Sequence, residues 1–412
     1  MLAREKAWEC LCEICIQKQY SNLYLRKALE DVSEMDKALV SEIVYGTLQH
    51  HLYLRYQWED LVSKKVKQKI ALLLDMSIYQ LFFLDRVPEY AIVNDAVEIA
   101  KGCYKGQYRS LVNAVLREVI RRGRRKVEGD ECEVLAIETS HPLWIVKMWK
   151  AQYGEAVMKR ICFDNLKKAK ACARVNTYLT NVEEVMKDSC FKKAHLENAL
   201  YYDGGNIANS EAYQKGWVSI QDEASQCVAL ALDPQANDVI LDTCAAPGTK
   251  TTHLAELMKN QGKIIALDCH EHRVELIKKG AERLHIDIIE AICQDACDLS
   301  RFGEFDRILC DVPCSGYGVM KRKNDIKYHL QSSDMDEIIE LQAKILNQAA
   351  LHLKIGGRLV YSTCTLNKKE NERQIERFLS QNPHYQCESM RTIFPYEMDS
   401  DGFFMAVLTR QA

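Results

Sequence analysis

The chain has 412 residues, 47 % hydrophobic and 27 % charged, with a formal net charge of −3, 18 Gly and 7 Pro. That is globular composition at two- or three-domain length; the apolar content and small net charge exclude disorder. No run reaches the roughly 18 apolar residues of a membrane helix, and the charged start Met1-Leu-Ala-Arg-Glu-Lys gives no expectation of a secretory leader.

The 17 cysteines are expected to be reduced thiols in the cytoplasm, not a disulfide framework. Cys172, Cys227, Cys269 and Cys310 sit in apolar runs and read as small hydrophobes. Cys12 and Cys15 form one CxxC beside Cys10, but in a segment of helical period with no second pair, so neither zinc nor another metal is expected.

Residues 1 to about 120 read as helices only. The spacing i, i+3, i+4, i+7 recurs at Trp8, Leu11, Cys12 and Cys15, at Val40, Ile43 and Val44, at Ile70, Leu73, Leu74, Ile78 and Leu81, and at Val112, Val115, Leu116 and Val119. Each stripe is too narrow for a helix buried all round, which predicts a bundle of amphipathic helices. Asp85-Arg86-Val87-Pro88 interrupts the period and ends a helix. Residues 1–126 hold 21 Lys and Arg against 16 Asp and Glu, and the remainder 34 against 42. A basic first part ahead of an acidic remainder points to a polyanion near the N-terminal region. The run Arg121-Arg-Gly-Arg-Arg-Lys126 fits a helix C-terminus leading into a solvated linker or a phosphate-contacting patch. Lys64-Lys-Val-Lys-Gln-Lys69 reads as a solvated face.

Residues 140 to about 215 form a smaller mixed unit, with a helical stretch after His141-Pro-Leu-Trp144, an extended run over Ala171–Asn176 and a Gly204-Gly205 turn. From Trp217 onward the pattern is strand, loop, helix, repeated. Short apolar strands are expected at 239–241, 264–267, 288–292, 308–310 and 358–361, with helices such as 251–258 and 338–353 between them. This alternation predicts a doubly wound α/β parallel sheet.

In such a sheet, ligands bind beyond the carboxyl ends of the strands. The first strand runs through Asp242 into Thr-Cys244-Ala245-Ala246-Pro247-Gly248-Thr249-Lys250, with one glycine, so neither GxGxxG nor GxxxxGK[ST] is present. A short turn exposing N–H groups at a helix start, beside Asp242, suits one carboxylate and one ammonium, as in the methionine part of S-adenosylmethionine. Asp268 ends the second strand, where a carboxylate can accept both ribose hydroxyls, and Asp295 follows the third, within reach of an adenine amino group. The fourth and fifth strands end in Asp311-Val-Pro-Cys314-Ser-Gly and Ser362-Thr-Cys364-Thr, so adjacent strands each deliver a cysteine. Cytosine C5 becomes nucleophilic when a thiolate adds at C6 and an acid protonates N3; Asp311 is placed for that contact.

Together, Asp242-x-Cys-Ala-Ala-Pro-Gly-x-Lys250, Asp311-x-Pro-Cys314-Ser-Gly and Ser362-Thr-Cys364-Thr resemble the RNA cytosine-5 methyltransferases of the NOL1/NOP2/Sun family. Gln221-Asp-Glu-Ala-Ser225, Gly402-Phe-Phe-Met and Arg174-Val-Asn176 match further family segments. The helical part resembles antitermination proteins of the NusB family at Val87–Glu98 and Leu111–Arg117. The resemblance implies an all-helical RNA-binding domain over 1–127, an RRM-like α+β module over 140–215 and a Rossmann-like methyltransferase domain over 216–412. It implies S-adenosylmethionine as cofactor, held by residues 244–250, Asp268, Asp295 and Asp311, with Cys364 as nucleophile and Cys314 assisting product release. The combination of domains implies 16S ribosomal RNA as partner, naked or early in assembly, for a cytoplasmic monomer that uses neither DNA nor membrane. Thr249 stands where the family usually has Gly, and Val312 where Ala is usual.

Two other functions compete with this one. A non-catalytic RNA-binding protein built on the helical part would need neither the cysteine pair nor the strand-end aspartates. A DNA cytosine-5 methyltransferase would use Cys314 as nucleophile, and the Thr-Cys-Thr of the fifth strand counts against it. Within the first reading, transfer RNA is the alternative substrate.

Overall fold

The structure is a computed structural model that describes residues 3–85, 87–329 and 335–412. The chain divides into two compact units, Met1–Lys167 with Met320–Leu330, and Lys168–Val319 with Gln331–Ala412.

The first unit is helical. Its long helices are Ala3–Ile16, Glu34–Gln49, Gln68–Phe83, Glu89–Gly102, Arg109–Arg122, Leu143–Tyr153 and Glu155–Asp164. Helix Arg109–Arg122 buries Val112, Val115, Leu116 and Val119, the expected stripe. Helix Gln68–Phe83 departs from the expected amphipathic form, because every residue from Ile70 to Gln80 is buried. Its polar positions are buried because each finds a partner. Asp75 accepts from Arg55 at 2.7 and 3.1 Å and from Trp58 Nε1 at 2.7 Å. Ser77 donates to the Leu73 carbonyl, and Gln80 accepts from Arg4 Nε.

The basic run after Val119 is not a solvated linker. Gly123, at φ +72°, ends the helix, and the chain then folds back on the unit. Arg122 and Arg125 pair with Asp60, Arg125 lies 4.1 Å from the Tyr56 ring centroid, and Arg124 covers Phe82 and Phe83. Lys64 and Lys65 are exposed and line a cleft of about 650 Å³ together with His51, Arg55 and Trp58.

The second unit contains two sheets. The small one comprises β1 (Cys172–Val175), β2 (Phe191–Lys193), β3 (Ala199–Tyr202) and β4 (Val218–Ile220). All its pairings are antiparallel, in the order β2-β3-β1-β4, with short helices at Val182–Val185 and Glu211–Gln214. This βαββαβ order is that of a ferredoxin-like module.

The large sheet comprises β5 (Val239–Asp242), β6 (Lys263–Asp268), β7 (Ile289–Cys293), β8 (Phe305–Asp311), β9 (Leu353–Thr363), β10 (Tyr385–Ile393) and β11 (Phe403–Arg410), in the order β10-β11-β9-β8-β5-β6-β7. Strands β9, β8, β5, β6 and β7 run parallel, as the alternation predicts. The sheet as a whole is mixed, because β11 pairs antiparallel with β9 and β10 antiparallel with β11. A short connection from β10 to β11 favours a hairpin, whereas parallel neighbours need a crossover. The strand order reverses between β5 and β8, and that switch point is where ligands enter such sheets.

Candidate active site

Strand β5 carries Ile240 and Leu241 into the core and ends at Asp242, which is almost fully buried. Thr251 donates to Asp242 Oδ2 at 2.7 Å, while Oδ1 is buried without a hydrogen-bond partner among the described residues. Burial pushes the Asp242 carboxyl up to about 7. The following turn, Cys244 to Gly248, is pinned by hydrogen bonds from Ala245 N to Leu267 O and from Gly248 N to Ala245 O, each 2.7 Å. Gly248 has φ +100°, and a Cβ there would lie 3.1 Å from Ile277 Cα, so both conformation and space demand glycine. Helix Thr249–Leu257 starts at this glycine with no side-chain cap, leaving its first N–H groups available to an anion.

The start of that helix is held from the small sheet, a relationship the sequence did not disclose. Arg174 on β1 is 1 % exposed. It donates to Glu256 at 2.6 and 2.9 Å, to the Thr249 carbonyl at 2.8 Å and to Gln221. A buried guanidinium fully engaged in this way fixes orientation more than it adds stability. The segment Arg174–Asn176 was distinguishable only by family resemblance, since a lone strand arginine carries no signal of its partner.

Asp268 ends β6 and Asp295 follows β7, as expected. Both also serve their own turns: Asp268 Oδ1 accepts from His270 N at 3.1 Å and Oδ2 faces Arg273 at 3.3 Å, and Asp295 accepts from Cys297 N at 2.9 Å. Asp268 is buried and Asp295 is exposed.

The residues expected to react come together. Asp311 at the end of β8 lies in register with Ser362 on β9. It accepts from Ser362 Oγ and from Lys250 Nζ, each at 2.7 Å. Burial pulls the Lys250 pKa down, but the charge and hydrogen bond of Asp311 outweigh that and hold it above the ordinary value. Cys314 Sγ and Cys364 Sγ are 3.4 Å apart. The hydrogen bond to Cys364 and burial push the Cys314 thiol well above its ordinary pKa.

Glu370, unnoticed in the sequence, joins the two cysteine loops. Fully buried, it accepts from Ser315 N and Oγ, from Asn367 and from Gln342 at 2.6–3.0 Å. Ser315 Oγ in turn meets Thr365 Oγ1 at 2.6 Å. The backbones also clasp: Gly318 N donates to Cys364 O, and Gly402 N to Gly318 O. A Cβ on Gly318 would fall 2.0 Å from Gly402 O, and one on Gly402 3.0 Å from Gly318 Cα, so neither position has room for a side chain.

A seven-stranded sheet of this order, with its polar groups gathered past the carboxyl ends of β5 and β8, defines a Rossmann-like methyltransferase. Models of known families match three parts of the chain: the NusB family over residues 1–121, the RsmF/B-like ferredoxin-like domain over 141–188 and the 16S rRNA methyltransferase RsmB/F family over 229–409. A probable ribosomal RNA small subunit methyltransferase B of Bacillus subtilis is 38 % identical over 99 % of this chain and 98 % of its own. The crystal structure of PH0851 covers 100 % of this chain and 99 % of its own, with a TM-score of 0.84 at 24 % identity. That of NSun6 from Pyrococcus horikoshii with SFG covers 66 % of this chain and 98 % of its own, with a TM-score of 0.61 at 21 % identity. The chain belongs to the ribosomal RNA small subunit methyltransferase B family.

Proposed function

We propose that this protein methylates carbon 5 of a cytosine in 16S ribosomal RNA through a covalent thiol–C6 adduct. Cys364 is the nucleophile, Cys314 assists release and Asp311 contacts the base edge. The observation that carries this reading is the pair of thiols 3.4 Å apart, on loops leaving adjacent parallel strands, beside Asp311. The names of the relatives supply the ribosomal RNA.

The residues around β5 fit S-adenosylmethionine. The unpartnered Asp242 oxygen suits its ammonium, the uncapped helix start its carboxylate, and the glycine cradle at Gly248 admits a close approach. Cys244, Ala245, Ala246, Pro247, Gly248, Thr249 and Lys250 would hold it with Asp268, Asp295 and Asp311. When bound, S-adenosylmethionine supplies an electrophilic methyl group.

The chain's own groups do the remaining work. Cys364, as the thiolate, adds to C6 and makes C5 enamine-like. Charge arriving on the ring at N3 is met at Asp311, where the bonded Lys250 ammonium is a proton source. After the methylated C5 gives up its proton to solvent water, that electron pair forms the C5–C6 double bond, the S–C6 bond breaks and Cys364 departs as thiolate. The Cys314 S–H is placed to donate to that sulfur as its charge returns. The division into 1–127, 140–215 and 216–412, action as a monomer and a cytoplasmic site belong to the same proposal; among the described residues no helix is long and apolar enough to cross a membrane.

Incubating the protein with 16S ribosomal RNA and a labelled methyl donor, then analysing the digested nucleosides, tests the reading. Label in 5-methylcytidine is expected. Label in any other nucleoside contradicts it.

A further inference from the structure

The sheet aligns the two cysteine loops only as far as the last pair of β8 and β9, Asp311 with Ser362. Cys314 lies three residues beyond that pair and Cys364 two, so the register of the strands alone does not fix where the two thiols stand. Two adjacent residues bond to both loops. The chain turns after Cys364 and reaches Glu370 and Asn371, both fully buried, just before helix Glu372–Gln381.

Glu370 reaches across to the Cys314 loop. Its Oε2 accepts from Ser315 N at 2.9 Å, and its Oε1 from Ser315 Oγ at 2.6 Å. Gln342 Nε2 joins the same carboxylate to the Pro313 carbonyl, at 3.0 and 2.9 Å. The residues on both sides of Cys314 are thereby tied to Glu370. Tyr317 N donates to Thr365 Oγ1 at 3.2 Å. Because Ser315 Oγ gives its proton to Glu370, Thr365 Oγ1 is the donor in its 2.6 Å bond to Ser315 Oγ. This chain of hydrogen bonds passes between the loops and ends on the carboxylate, so each bond polarises the next.

Asn371 holds the other cysteine. Its Oδ1 accepts from Thr363 Oγ1 at 2.6 Å and its Nδ2 donates to Thr365 O at 2.9 Å, so it grips the residue on each side of Cys364. Asn371 stands at the N-cap of helix Glu372–Gln381, where an asparagine ordinarily caps its own helix. Here it makes no side-chain cap bond among the described residues, and both ends of its amide serve the Cys364 loop. The burial of Glu370 points the same way. A residue that only filled space would be apolar, because a buried carboxylate is costly unless hydrogen bonds satisfy it.

We propose that Glu370 and Asn371 are the positioning residues of the thiol pair, Glu370 setting Cys314 and Asn371 setting Cys364. The inference rests on the reading of Cys364 as nucleophile and Cys314 as the assistant of release. Loosening one residue therefore disturbs release, and loosening the other disturbs attack.

The test uses the full-length protein carrying Glu370→Gln or Asn371→Ala, with 16S ribosomal RNA, S-adenosylmethionine and Cys314→Ala as the reference. Gln keeps the shape of Glu but offers one acceptor atom to the four donors that Glu370 takes. Glu370→Gln should keep first-turnover methyl transfer, lower kcat about tenfold and build up the protein–RNA adduct seen with Cys314→Ala. Asn371→Ala should instead slow first-turnover methyl transfer about tenfold, with no build-up of adduct. Neither should change S-adenosylmethionine affinity. Thr363→Val, which lacks the hydroxyl that Asn371 accepts, should repeat Asn371→Ala, and Thr363→Ser should restore the rate. If Glu370→Gln or Asn371→Ala does not fold, Ser315→Ala or Thr363→Val decides in its place, because each removes only one hydroxyl. An adduct from Cys314→Ala but none from Glu370→Gln overturns the inference while leaving the mechanism standing, and so does an unaltered rate in Asn371→Ala. Losses in both variants that match the folded fraction overturn it too. No adduct from Cys314→Ala overturns the reading of Cys314, and the inference with it.

Discussion

Thr251 satisfies one oxygen of Asp242 at 2.7 Å, and the other is buried without a hydrogen-bond partner among the described residues. An acid in that state holds its proton, and burial raises this one to about 7. Ligand ammonium binding requires the ionised form. Affinity for S-adenosylmethionine is therefore expected to climb between about pH 6 and 8, and calorimetry should find that climb absent in Asp242→Asn. The sign for stability is opposite. A folded-state pKa above the ordinary 3.9 or so means that stability without cofactor falls as pH rises through 7. Unfolding midpoints that do not move between pH 5 and 8 would put Asp242 outside both effects.

Asp268 offers a separate check on the cofactor. Removing a charge-assisted contact to the ribose should weaken S-adenosylmethionine binding by about 1–3 kcal/mol in Asp268→Ala. The same substitution frees His270 N and Arg273, so Asp268→Asn, which keeps an acceptor for His270, is the control. Unchanged affinity in both variants removes Asp268 from the ribose role.

Asp75 is the polar centre of helix Gln68–Phe83. Burial pulls its pKa up, but Arg55 and His51 outweigh burial and hold the carboxyl below its ordinary value. Asp75→Ala leaves Arg55 and Trp58 without their acceptor and should cost about 3–5 kcal/mol, measurable by urea unfolding. Because the folded pKa is depressed, the contribution of Asp75 is present above the usual carboxylate range and is lost as pH falls below it. A destabilisation that persisted undiminished under acid conditions would contradict that sign.

The legible parts of this molecule were those written locally. Strand-end aspartates, the Pro-Cys and Thr-Cys pair and the alternation of apolar strands with helices each occupy a few adjacent residues, and β8 and β9 set the two cysteines side by side as the parallel register requires. What the sequence hid depends on distant partners. Periodicity gives helix Gln68–Phe83 an exposed face, because a polar Asp75 looks solvated until Arg55 and Trp58 arrive from an earlier part of the chain. Glu370 has no signature, since its role comes from Ser315, 55 positions away. The return of residues 320–329 to the helical unit follows a glycine-rich loop that reads as a connection. Of the basic run at Arg121–Lys126, Arg122 and Arg125 are taken up by Asp60 and Tyr56, while Arg121, Arg124 and Lys126 stay exposed.

Lys64, Lys65 and Lys67 form a second exposed basic cluster of the helical unit, available to phosphates. Replacing all three with Ser should weaken RNA binding at every sequence and reduce the slope of log affinity against log salt by roughly 0.7 for each phosphate no longer neutralised. Point substitutions are the clean test, because deleting residues 1–126 would also strip Ser21 from Asp325. An unchanged slope would leave this face out of RNA binding.

The proposed mechanism turns on a division of labour between two thiols 3.4 Å apart, and denaturing electrophoresis of each alanine variant with 16S ribosomal RNA and S-adenosylmethionine measures it directly. Cys364→Ala cannot form the S–C6 bond, so it should show neither turnover nor a protein–RNA adduct. Cys314→Ala keeps the nucleophile but lacks the S–H that eases its departure, so it should methylate once and remain attached to the RNA as a band that survives denaturation. An adduct from Cys364→Ala with none from Cys314→Ala would reverse the two roles and contradict the mechanism.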